Sequence, residues 1–415
     1  MSYKPTPEEI SEDLPRAIGQ GHDMKSQLLC VAEILRLFTD QDHGLTADEI
    51  REAVGLRTGK TPTAAKVLSD IHSLAGNSPF GMEISIPSRG DNRGFRCERA
   101  FLSSDQARLT INMVRTCKFV TRQQRDDLCE ALFSMVSYYQ QDQIARGVTV
   151  DERELPQTPD VFSAAEVFSM ALEKDEMVSF EYVAKGLDGK EYPSKNSLDG
   201  SYILHETPIA LIYSYGNYYA ETWSGSLEEG RVMVRRLDRV RSACLSGVKA
   251  VTGNEIERLR STVQERIGQT FDMYGEGDAK DLFLKVEASA ARYIYDRFGY
   301  GVKFSHVAPD GQFGYIHVVV KLSATFYRWL FGMGERIILA RPQGALWESL
   351  FPSLRLRKKP HAALVNDYED AIRGLRRQMS LCASAYGWQP SVSEDDLDPS
   401  ASMTAVAKSS KAYPD

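Results

Sequence analysis

Thr207-Pro208-Ile209-Ala210-Leu211-Ile212-Tyr213-Ser214-Tyr215-Gly216-Asn217-Tyr218-Tyr219-Ala220-Glu221-Thr222-Trp223 decides the middle of this chain. Apolar and aromatic residues fill both arms, and Gly216-Asn217 is a two-residue turn signal between them, so the stretch reads as two antiparallel strands. Downstream, Val232 to Val240 reads as a further strand holding Arg235-Arg236-Leu237-Asp238-Arg239. Upstream, Met177 to Tyr182 alternates as a strand does, Ala184–Gly200 is a long polar loop, and Ser163 to Leu172 has helical character. A β-rich unit over about 161–248 follows.

Within it, Pro208, Gly216, Tyr218-Tyr219-Ala220 and Arg236-Leu237-Asp238-Arg239-Val240 stand in an order that resembles the WYL domain of bacterial transcription regulators. In that family a proline, a strand, a turn glycine and a Trp-Tyr-Leu triplet precede a strand close to Arg-Leu-Asp-Arg-Ile. Here Tyr218 stands for the Trp and Ala220 for the Leu, and Arg235 occupies a place usually apolar or aromatic. The resemblance implies a small Sm-like β-barrel and a pocket of Tyr and Arg for a nucleotide or single-stranded nucleic acid. Residue chemistry agrees, because Arg pairs bidentately with phosphate and Tyr offers a base a stacking face. The ligand-binding candidates are Tyr182, Tyr219, Arg236 and Arg239, with Tyr218 and His205 beside them. Aromatics that fill a small barrel and arginines that solvate its rim are the competing reading.

Toward the N-terminus, after a tail over 1–23, Leu28, Val31, Leu35 and Phe38 mark one helix over Met24 to Phe38. Thr46 and Glu49 form a capping box, with Leu45 and Ile50 as a hydrophobic staple, for a short helix from Ala47 to Val54 that Gly55 ends. Thr61 as N-cap and Pro62 in the first turn open a third helix, with Val67, Ile71 and Leu74 facing inward and Thr63, Lys66, Ser69 and Asp70 outward. Met82, Ile84 and Ile86 alternate, the loop 87–94 turns the chain, and Phe95 and Cys97 return. Three helices and a hairpin over 24–100 predict a winged helix-turn-helix. Residues 57–99 hold seven Lys/Arg against four Asp/Glu. Arg57, Lys60, Thr61, Thr63 and Lys66 about the third helix, with Arg89 and Arg93 in the wing loop, are the DNA-binding candidates. Winged helices also serve as protein-interaction modules, so that reading stays beside the first.

Between these units, 101–160 reads as two capped helices, from Ser103/Gln106 and Thr121/Gln124, and a polar linker. The stripe Leu128, Leu132, Met135 and Tyr139 suits dimerisation or packing on a neighbouring domain equally. Glu255 to Ile267, within 249–280, is a linker helix, and 281–351 alternates strand and helix as an α+β sandwich of ferredoxin-like type. This part resembles the C-terminal extension that follows WYL domains, through Trp329-Leu330-Phe331-Gly332-Met333-Gly334 and Pro342, and the resemblance implies a role in dimerisation. A basic run (Arg355, Arg357, Lys358, Lys359) and a helix over 362–381 occupy 352–388. Residues 389–415 are polar and Ser-rich, the composition of a disordered segment.

The expected fold class is therefore multidomain α+β. Six scattered cysteines form no Cys-x-x-Cys pair, no window approaches 18 apolar residues, and no secretory leader is evident, so a cytoplasmic protein away from the membrane is expected. The net charge of −7 argues against a chain coated in nucleic acid but not against a local basic face. No P-loop, nucleophile elbow, zincin motif or dinucleotide fingerprint occurs. The expectation is a non-enzymatic, cofactor-free, homodimeric regulator that binds a double-stranded operator and senses a nucleotide or single-stranded nucleic acid.

Overall fold

Helix starts in the N-terminal third are set by one local device, a Ser or Thr that caps the third backbone N–H while a Glu or Gln reaches back to the cap's own amide. Thr6/Glu9, Thr46/Glu49, Ser103/Gln106 and Thr121/Gln124 all form such boxes in the computed structural model. The structure describes residues 4–14, 24–88, 91–147, 161–195, 200–273, 275, 277–305, 307–342 and 359–386.

The first unit comprises α1 (Pro7–Asp13), α2 (Met24–Phe38), α3 (Ala47–Thr58), α4 (Ala64–Asn77), β1 (Glu83–Ser85) and β2 (Arg96–Arg99). β1 and β2 pair antiparallel, and Leu45 bridges to Phe95. Val31, Ile34, Leu35, Ile50, Val67 and Ile71 meet in one core, which Ile10 and Leu14 also enter. Part of the segment read as an N-terminal tail is therefore α1, packed on the unit. Two helix boundaries differ from expectation. Gly55 does not end α3, which continues to Thr58 and is capped by Gly59 at φ 71°. Gly55 serves instead as a contact, since a Cβ there would lie 3.0 Å from Thr61 Cα. Thr61 is consequently not the cap of α4. Thr63 is, accepting from Lys66 N at 3.3 Å.

Among its described residues the connector holds three helices where two are expected, α5 (Ser104–Arg115), α6 (Arg122–Phe133) and α7 (Tyr138–Gly147). Ser137 and Gln140 exchange cap hydrogen bonds of 3.3 Å, so the chain breaks and restarts where a continuous stripe to Tyr139 is expected. Tyr139 stacks on His43 at 3.8 Å between ring centroids, Tyr138 meets Phe38 at 5.0 Å, and Arg36 donates to Ser134 O. The start of α7 is thereby fixed to α2 and the loop after it.

The central unit runs α8 (Val161–Lys174), β3 (Glu176–Lys185), β4 (Glu191–Pro193), β5 (Ile203–Ser214), β6 (Asn217–Ser224), β7 (Arg231–Arg236), a 3-10 turn Leu237–Arg239, and β8 (Val240–Lys249). The antiparallel order is β8-β3-β5-β6-β7, with β4 on the far end of β3. Phe180, Leu204, Ala220, Leu237 and Val240 converge with Phe168 of α8 on one core. The expected strand to Val240 stops at Arg236, because Leu237 is fully buried and draws the backbone into the turn. The polar loop 184–200 contains β4.

Two short helices, α9 (Asn254–Ser261) and α10 (Val263–Gln269), replace the single linker helix. The last unit has β9 (Ala279–Glu287), α11 (Ala291–Phe298), β10 (Phe313–Lys321), α12 (Ala324–Gly332), β11 (Ile337–Ala340) and α13 (His361–Ala385). Its sheet order is β10-β9-β11. The strand expected at Val302–His306 is reduced to a bridge from Ser305 to Tyr315, and His306 lies outside the described residues. The chain as a whole is mixed α and β. No helix among the described residues is long and apolar enough to cross a membrane.

α13 covers β9 through Leu364 against Phe283 and through a charged cluster. Asp367 accepts from Asp281 N at 3.0 Å, Lys359 bridges Asp281 and Asp367, and His317 Nε2 lies 2.7 Å from Asp281 Oδ1. Of the expected basic run, Arg355, Arg357 and Lys358 lie outside the described residues, and Lys359 is committed here. Burial opposes the charge on Asp281, but hydrogen bonds from His317 and Lys359 outweigh it and hold the carboxyl down at about 2. A depressed folded-state value contributes stability above the ordinary value near 4 that is lost as pH falls toward about 2, here about 2 kcal/mol. Asp281→Asn should therefore flatten the fall of the urea midpoint between pH 5 and pH 2, roughly that pKa window, relative to the parent chain.

Candidate functional site

Two surfaces carry the sequence candidates. On the first unit, α4 buries Val67, Ile71 and Leu74 and exposes Ala65, Ser69, His72 and Ser73. The expected contacts distribute unevenly about it. Lys60 and Thr61 are exposed in the turn before α4, and Thr63 caps it. Arg57 instead holds α1, donating to Ser11 O at 3.3 Å and Leu14 O at 3.0 Å. Lys66 pairs with Asp70, which is buried rather than outward-facing. Arg93 is exposed but chelated by Asp91 at 3.0 and 3.1 Å. Arg89 lies outside the described residues. The exposed face of α4 is thus small and polar, and the signal for it was the i, i+4 and i, i+3 spacing of Ala65, Ser69, His72 and Ser73 opposite the apolar stripe.

On the central sheet, side chains alternate between faces, which separates adjacent candidates. Tyr182 and Tyr218 lie on the inner face with Leu211 and Ala220. Tyr219 lies on the other face with Ile212 and Met273. Arg236 is opposite Tyr219 in the register and is held by Asp238 at 2.6 and 3.0 Å and by Asn217 at 2.9 Å. Its backbone N–H donates to Tyr182 Oη at 3.2 Å. His205 is exposed and pairs with Ser179 Oγ at 2.8 Å. Arg239, half-buried on the 3-10 turn, has no hydrogen bond or ion pair among the described residues. The six do not converge on one pocket.

Sequence reasoning missed the polar centre of the inner face. Glu206, 1% exposed, takes Arg235 through both its oxygens and Thr222 Oγ1 at 2.6 Å. Arg235 also lies 5.0 Å over the Tyr182 ring. An arginine in an otherwise apolar position is explained by this buried acid two strands away, a partner that no local pattern announces.

The connector also reaches this face. Phe119, in the turn between α5 and α6, is 5% exposed and joins the sheet's core. It meets Tyr218 edge-on at 5.3 Å, Phe162 at 6.1 Å and Tyr213 at 6.2 Å. Tyr213 and Tyr218 are themselves 5.0 Å apart. A three-ring nest is therefore shared between connector and sheet.

No protein-family model matches the chain, and no curated protein sequence matches it. Among solved structures, it is similar to proteasome accessory factor B/C (PafBC) of Arthrobacter aurescens at 15% identity and a TM-score of 0.23, over 90% of this chain and 52% of that one. The chain thus spans about half the length of that protein. It is also similar to a CRISPR Cas-related protein at 8% identity and a TM-score of 0.21, over 72% of this chain and 86% of that one.

Removing one partner of a buried ion pair strands the other's charge, at a cost of about 3–5 kcal/mol. Arg235→Ala should lower stability by about that amount in urea melts, whereas Arg235→Met with Glu206→Leu should recover most of it. Equal loss in the single and double variants would refute the pairing as the cause.

Proposed function

We propose that the chain is a ligand-responsive, DNA-binding transcription regulator whose first unit is a winged helix-turn-helix. The observation that carries this reading is α4: its inner face is buried, its outer face holds Ala65, Ser69, His72 and Ser73, and a short turn with exposed Lys60 precedes it. Small side chains let a helix backbone approach base edges closely in the major groove. Lys60 and the amide end of α4 serve the phosphates, and the exposed Arg93 of the hairpin loop joins them by exchanging Asp91 for a phosphate oxygen. Arg57 and Lys66, committed within the fold, leave that list.

The central unit supports a WYL-type, Sm-like reading: one helix, six antiparallel strands and a 3-10 turn before the last of them. The last unit supports a ferredoxin-like reading, with the order β11-β9-β10 extended by the Ser305 bridge. Phe119 then supplies the coupling. A nucleobase stacking on Tyr213 and Tyr218 takes the place of the Phe119 ring, and Arg239 offers a charge for its phosphate. Displacing Phe119 moves the connector, whose α7 is anchored to α2, and so changes how two copies meet paired half-sites. Such a switch works only through different ligand affinity in the two arrangements. The reading includes a cytoplasmic homodimer without catalytic activity.

The neutral outer face of α4 favours a second reading, in which the first unit contacts protein and the chain senses nucleic acid without an operator. Selection from a random duplex pool separates the two. The regulator reading expects an enriched motif, with Ser69→Ala and His72→Ala each relaxing preference at single base pairs by about 1–3 kcal/mol. Lys60→Ala should weaken all duplexes alike and reduce the salt slope by about 0.9. Absence of any enriched motif sinks it. For the coupling, a single-stranded oligonucleotide should shift duplex affinity of the parent chain and leave Phe119→Ala unshifted, read by fluorescence anisotropy. An equal shift in both chains removes Phe119 from the path.

A further inference from the structure

The outer face of the central sheet is not given over to solvent. β7 is an edge strand, and against it lie α10, Met273 and the end of β10. Between them is a cavity of about 450 Å³. That is within the range of about 300–1,000 Å³ usual for small-molecule sites. Its walls include Val232, Val234, Ile267 and Met273. No Phe, Tyr or Trp is among the described lining residues, so nothing there offers a base a stacking face.

The charged groups in the cavity differ in what they already do. Glu221, 5% exposed, is taken by Arg266 through both oxygens. Arg266 is further spent on Leu259 O at 2.5 Å and Thr262 Oγ1 at 2.6 Å. That pair is closed and neutral. Lys321, at the end of β10, is half-buried and has no hydrogen bond or ion pair among the described residues. Burial, helped by the charge of Arg266, pushes its amine below the ordinary lysine range, and the charges of Glu221 and Asp278 only partly oppose this. Gly275 lies against its stem, where a Cβ would come 2.8 Å from Lys321 Cβ, so only a residue without a side chain fits beside Lys321 at this wall. Arg231 adds a second cation to the lining. A half-buried ammonium that is hydrogen-bonded to no carboxylate among the described residues is costly, and an anion entering the cavity can pair with it directly.

We infer that this cavity binds a small organic anion with an aliphatic body, an alkyl carboxylate, whose head group pairs with Lys321 while its chain lies on Val234, Ile267 and Met273. The site is separate from the Phe119 nest and stands whether or not the regulator reading does. It lies between the central sheet and the last unit, so occupancy ties the two together through β7 and β10.

Titration calorimetry on the full chain tests this with sodium octanoate, and with inorganic phosphate as a head group lacking the chain. Saturable one-to-one octanoate binding is expected, with phosphate at least tenfold weaker. Lys321→Met should weaken octanoate tenfold or more, Lys321→Arg should retain it, and Val234→Phe should reduce it by filling the cavity from β7. The inference is overturned by no saturable octanoate binding, by octanoate affinity unchanged in both Lys321→Met and Val234→Phe, or by phosphate binding as tightly as octanoate. If Lys321→Met does not fold, Val234→Phe and the phosphate comparison still decide.

Discussion

A folded chain of several units must transmit force through the places where their cores actually touch, and here Phe119 is such a place. Its ring leaves the helical connector and completes the core of the central sheet beside Tyr218. Burying a phenyl ring contributes about 1.5–3 kcal/mol, so the turn between α5 and α6 cannot move without losing that burial. Further along the connector, the Tyr139–His43 stack and Arg36 on Ser134 O lock the junction of α6 and α7 to the first unit. The connector is therefore seated in packed material at two places, in the central core through Phe119 and against the first unit through α7.

Cations decide the rest of the reading, and most that looked available are not. Arg57, Lys66, Arg235, Arg236 and Arg266 each have partners within the fold. The physical reason is desolvation. A long cationic side chain that is partly removed from water must find an acceptor, and a folded chain with excess carboxylate supplies one. Counting basic residues along a segment thus overstates the charge it offers to a partner. What remains for function is shown by exposure, as at Lys60, or by the lack of an acceptor among the described residues, as at Lys321 and Arg239.

Much of the helical framework was legible in the sequence because its causes are local. The boxes at Thr46, Ser103 and Thr121 and the stripe Val67, Ile71, Leu74 involve residues three or four apart, and their geometry needs no tertiary partner. The strands flanking Gly216-Asn217 were legible for the same reason. The errors share a non-local cause. Gly55 reads as a stop until Thr61 packs on it, and Val232–Val240 reads as one strand until Leu237 is drawn into the core.

By itself the sequence determined the helix starts marked by capping boxes at Thr46, Ser103 and Thr121, the hairpin about Gly216-Asn217, and which residue types could serve a ligand, since these follow from backbone capping, turn preference and periodicity. Only the tertiary structure decided which of those residues are free. Strand alternation placed Tyr218 and Tyr219 on opposite faces, Glu206 claimed Arg235 from across the sheet, and the seat of Phe119 and the cavity at Lys321 arose from segments far apart in the chain. Burial and ion pairing are properties of surfaces brought together by the whole fold, and no local pattern encodes them.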